Sequence, residues 1–85
     1  MALVLPSWFK QRQCKAEEAG PGTYRVTGPN LREAFIRVEK VDGGWKAALR
    51  LAADGPDTIA SQVPLPTEYE AWSTAFEFYR EEVLV

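Results

Sequence analysis

Apolar and polar positions change their spacing once in this chain of 85 residues. Over residues 23–63 they alternate, and over 67–84 they recur every three or four positions. Alternation marks half-buried strands, and the three-four step marks one face of a helix. The first region divides into four predicted strands. Thr23–Thr27 places Tyr24 and Val26 on one face. After Gly28-Pro29-Asn30, Leu31–Val41 sends Ala34, Ile36 and Val38 one way and Glu33, Phe35, Arg37 and Glu39 the other. Trp45–Ala53 alternates most cleanly, with Trp45, Ala47, Leu49, Leu51 and Ala53 on one face. Asp54-Gly55-Pro56-Asp57 is turn chemistry, and Thr58–Val63 follows with Ile59 and Val63 inward.

Charge selects the register of the central hairpin. An Asp42-Gly43 turn of type I′ pairs Glu39 with Lys46, Val38 with Ala47 and Ile36 with Leu49. A Gly43-Gly44 turn would instead set Arg37 opposite Arg50. Opposite charges across a strand pair are worth ~0.2–1 kcal/mol and like charges cost a similar amount. The Asp42-Gly43 register is therefore expected.

Pro64 and Pro66 close the strand region and keep the chain extended. Thr67 and Glu70 then stand in capping-box order. Tyr69, Trp72, Phe76, Tyr79 and Val83 form the predicted buried stripe, with Glu70, Ser73, Glu77 and Glu81 opposite. The expectation is one small α+β domain over 1–85. It has a three- to four-stranded antiparallel meander over 23–63 and a C-terminal amphipathic helix over 67–84 packed on one face. Residues 1–22 read as an arm or a short helix, from a Ser7 cap through Ala19, stopped by Gly20-Pro21-Gly22.

Composition places the chain among ordinary globular domains. No apolar run reaches the ~20 residues of a membrane span, Cys14 stands alone, and the expected compartment is the cytoplasm. Arg12 and Lys15 flank Cys14 and would lower its pKa, but it reads as an incidental reduced thiol. The net charge of −2 is unevenly spread. Residues 1–66 hold nine Lys and Arg against seven Asp and Glu, and residues 67–85 hold Arg80 against five Glu.

Chemistry is conspicuous by what the composition omits. With no histidine and one cysteine, the usual triads, the commonest general base and Cys- or His-rich metal sites have no residues to build them. No phosphate-loop string occurs, and Asp54 and Asp57 lack the ligand spacing of a calcium loop. No catalytic, metal or cofactor residue is assigned, and an enzyme is not expected.

The face away from the helix is predicted to carry Arg25, Phe35, Arg37, Lys46, Ala48 and Arg50, and the N-terminal Trp8-Phe9 pair is a further candidate surface. One reading is a non-catalytic protein-interaction module, with a homodimer through sheet edges or Trp8-Phe9 as one form of it. The alternative is weak nucleic-acid binding, with Phe35 as a stacking platform and the arginines on phosphate. Strands followed by one helix is similar in element order to the arm-binding domains of phage-type tyrosine integrases. That resemblance implies DNA binding, although those domains are expected to carry a more basic sheet.

Overall fold

The computed structural model describes residues 5–52 and 54–84. The expectation of an arm at Met1–Leu5 falls outside them for residues 1–4, as does the inward position of Ala53. A five-stranded antiparallel meander, ordered β1 to β5, carries a short helix before it and a longer one after it. The strands are β1 (Lys15–Gly20), β2 (Thr23–Thr27), β3 (Ala34–Val41), β4 (Gly44–Arg50) and β5 (Ile59–Ala60). The helices are α1 (Ser7–Gln11) and α2 (Glu68–Tyr79), the latter running into one π-helical turn at Arg80–Leu84.

The expected helix from Ser7 to Ala19 stops at Gln11. Its end is a Schellman turn: Cys14 N–H donates to the Phe9 carbonyl and Gln13 N–H to that of Lys10. Gln13 takes the left-handed conformation, with φ 59°, that glycine usually fills there. Phe9 and Cys14 then meet in the core, which is the apolar contact this motif favours. Residues 15–20, good helix formers, become an added strand because β2 offers a ladder. Glu17 faces Arg25 across it. Gly20-Pro21-Gly22, which reads as a break, is the hairpin turn, with Gly22 at φ 64°.

The β3–β4 hairpin has the register that charge selects: Glu39 opposite Lys46, Val38 opposite Ala47, Ile36 opposite Leu49. The turn is not type I′, which needs positive φ at both central residues. Only Gly43 has it, at φ 87°. Strands β3 and β4 are shorter than expected, and the expected strand Thr58–Val63 is ladder-paired only at Ile59–Ala60. Beyond it Ser61 N–H donates to the Ala47 carbonyl, and Leu65 bonds Trp45 in both directions. Gln62, Val63 and Pro64 thus stand opposite the single residue Lys46 and bulge away from the ladder. Val63, expected inward, is 68 % exposed.

Helix α2 lies across β3 and β4. Thr67 caps it by accepting from Glu70 N–H at 3.1 Å, and Glu68 and Glu70 favour the positive end of its dipole. The buried stripe is Ala71, Ala75, Phe76 and Tyr79, with Trp72 half-buried. Two alanines let the helix approach Ile36, Val38, Ala47 and Leu49 closely. Tyr69, expected in that stripe, is 64 % exposed. Trp72 instead meets Tyr24 edge to face at 5.3 Å, tying the helix to β2.

Candidate functional site

The outer sheet face is organised in rows fixed by register. One row runs Glu17, Arg25, Phe35, Arg50, and the next runs Thr23, Arg37, Ala48, Ala60. Glu39 and Lys46 make a third pair. Arg25, Phe35, Arg37, Lys46, Ala48 and Arg50 therefore do share one face.

That face is less basic than its arginines suggest. Arg25 donates through Nε to Glu33, a bond that raises its pKa, and Glu17 lies 3.9 Å from its other side. Arg37 donates to Asp57 at 3.0 Å, with Glu39 at 3.8 Å. The sequence separates Glu33 and Asp57 from these arginines, and only the turns of the chain bring them together. Phe35 and Ala48 are covered, at 8 % and 1 % exposed, so neither is an open platform.

Arg50 differs from its neighbours. Among the described residues it has no carboxylate partner. Its guanidinium lies over the Phe35 ring, 5.8 Å from the centroid, within cation–π range. Its Nε is enclosed and makes no hydrogen bond among the described residues. Lys46, on the same face of β4, lines a crevice of about 340 Å³ with Val41, Asp42, Ser61, Gln62, Val63 and Pro64.

The other candidate surface divides. Phe9 is 0 % exposed and packs edge to face on Phe76 and Tyr79, so it belongs to the core and not to a docking surface. Trp8 is half-buried beneath Arg80, whose guanidinium lies 6.0 Å from its ring. Cys14 is nearly as enclosed. Burial raises its pKa, overriding the Tyr79 hydroxyl and the Arg12 charge that would lower it, and leaves a poor nucleophile.

Val63 and Tyr69 are the two large, mostly exposed apolar side chains among the described residues, although the sequence pattern places both inward. A signal for Val63 was available. It precedes Pro64, which cannot donate to a ladder, so a continuous strand through 63 loses its next ladder bond. In sequence both residues flank the Trp45–Leu65 bridge that hands the chain to α2. No helix among the described residues is long and apolar enough to cross a membrane. Comparison with protein-family models, curated proteins and solved structures gives no match to this chain. Function is therefore read from this surface.

Proposed function

We propose that the chain is a non-catalytic protein-interaction module whose partner docks where the outer sheet face meets the Gln62–Pro64 bulge. The observation that carries this reading is Val63, held 68 % exposed beside the crevice over Lys46. Lone exposed apolar residues are common on any surface. This one is fixed by a bulge next to a concave, partly apolar site, which is the form a peptide-docking pocket takes. The small area implies a weak or transient contact.

A photo-crosslinking side chain placed at position 63 tests it in extract from the protein's own cells, with the same group at Glu81 as the control. The expected result is a discrete protein adduct specific to position 63. Equal labelling from both positions, or adducts to nucleic acid, would overturn the reading. Self-association is checked separately by light scattering up to millimolar concentration. A concentration-dependent dimer lost in Val63→Asp would identify a second copy as the partner.

Nucleic-acid binding is the second reading, and Arg50 over Phe35, with no carboxylate partner among the described residues, favours it. The carboxylates on Arg25 and Arg37 weigh against it. Its signature would be affinity falling steeply with salt.

A further inference from the structure

We propose that Arg50 is the anchor for a single carboxylate on the partner polypeptide, an Asp or Glu in an extended segment whose apolar residue reaches Val63. This rests on the protein-interaction reading and names the chemistry of the partner. Three arginines share the outer face, and two are already occupied, Arg25 by Glu33 and Glu17 and Arg37 by Asp57 and Glu39. Arg50 alone of the three has no carboxylate among the described residues.

The enclosed Nε has no partner among the described residues, so one side of the guanidinium has given up water without a replacement bond. An anion on the remaining N–H groups would act on a partly desolvated charge, where charge-assisted bonds are strong. The Phe35 ring holds the guanidinium from one side, so less freedom is lost on binding.

The surroundings select the anion. Arg25, Arg37, Lys46 and Arg50 are matched by Glu17, Glu33, Glu39 and Asp57 on or beside the same face. A polyphosphate strand crossing it meets as many negative groups as positive ones. One carboxylate on Arg50 need meet only the guanidinium and the ring. Lys46, at the crevice, stands four residues before Arg50 on the same strand face, roughly 13 Å away at ~3.3 Å per residue. A bound segment would therefore carry its carboxylate about four residues from its apolar side chain.

The arginine Nε–H signals of the full chain, followed by nitrogen–proton NMR, test this directly. The probe is a blocked peptide with one glutamate and, about four residues away, one valine. The same peptide with glutamine, inorganic phosphate and an oligothymidylate serve as comparators. The Arg50 signal should move saturably with the glutamate peptide and stay still with glutamine, while Arg25 and Arg37 shift little. Arg50→Lys keeps the charge but loses the fork, and should weaken binding about tenfold. An unmoved Arg50 signal at millimolar peptide, or an equal response to glutamine, would overturn the proposal. So would a shift of all three arginines with the oligothymidylate. If the crosslink at position 63 forms while Arg50 stays silent, the anchor fails and the interaction module stands. If Arg50→Lys does not fold, the wild-type titration decides alone.

Discussion

Phe9→Ala tests the placement on which sequence and structure differ most. The residue reads as half of an exposed aromatic pair, yet it is wholly enclosed. Its ring meets Phe76 at 5.1 Å, Trp8 at 5.8 Å and Tyr79 at 6.1 Å, all edge to face. Removing a buried phenylalanine costs about 3–5 kcal/mol through lost burial and the cavity left behind. Aromatic pairs add ~0.5–1.5 kcal/mol each in favourable geometry, which puts this site toward the upper end. At ~0.05–0.15 kcal/mol per residue, a chain of this length has about 4–13 kcal/mol of total stability. The substitution should therefore remove a third of it or all of it. Urea unfolding followed by near-ultraviolet dichroism measures the loss, with a constant slope confirming that the unfolded state is unchanged. Phe9→Leu, at roughly 1–2 kcal/mol, supplies a measurable value should the alanine variant not fold. Half-buried Trp8 should cost less than Phe9 when cut to alanine. A Phe9→Ala loss under about 1 kcal/mol would refute the core assignment and with it the docking of α1.

Three further outcomes are expected. The Tyr79 hydroxyl is pushed up to about 12, mainly by burial and further by the neighbouring Cys14. Folding therefore retains its proton where the unfolded chain, near 10, has lost it. Stability should hold below pH ~10 and fall by about 1–2 kcal/mol toward pH 12, after allowing for screening. Tyr79→Phe should flatten that fall in alkaline urea titrations, at little cost near neutrality because among the described residues the hydroxyl faces only the weakly bonding Cys14 thiol. Gly44→Ala should lower the melting temperature markedly, because its φ is 149° and a Cβ would lie against the Leu65 carbonyl of the bridge. A double-mutant cycle on Arg37 and Asp57, both about a quarter exposed, should give ~0.5–1 kcal/mol of coupling that shrinks in high salt.

How much of this was legible depended on whether a signal was local. The β3–β4 register followed from charges a few residues apart across a tight turn, and the structure has it. The Thr67 cap was likewise written in adjacent residues. The face of β3 and β4 carrying Ala34, Ile36, Val38, Ala47 and Leu49 followed from alternation alone. What was not legible needed tertiary context. Residues 15–20 favour helix by composition, and only the left-handed Gln13 and a waiting β2 turn them into a strand. In α2 the large aromatics dominate the spacing, while Ala71 and Ala75 are wholly buried in the core beside them. The outer face was legible as a set of residues but not as an electrostatic surface. Glu33 and Asp57 lie in loops, and nothing in their spacing says which arginine each will meet.

The edges of the sheet decide where a partner can approach. A free strand edge invites a second chain, and proteins blunt such edges with charge, irregularity or brevity. Both edges here are blunted. β1 exposes Lys15, Glu17 and Glu18, and its register slips between Glu18 and Gly20. β5 has two residues, and the Gln62–Pro64 bulge interrupts the ladder beyond them. Strand addition at either edge would have to bury those charges or straighten that bulge. Phe9 lies in the core, and Trp8 is half-buried beneath Arg80. The approach that costs least is therefore onto side chains, and the outer face offers Val63, held out by the bulge, and Arg50, which has no carboxylate partner among the described residues. The bulge that spoils the β5 edge for strand pairing is the same one that presents Val63. Protection against one kind of association thus creates the conditions for another.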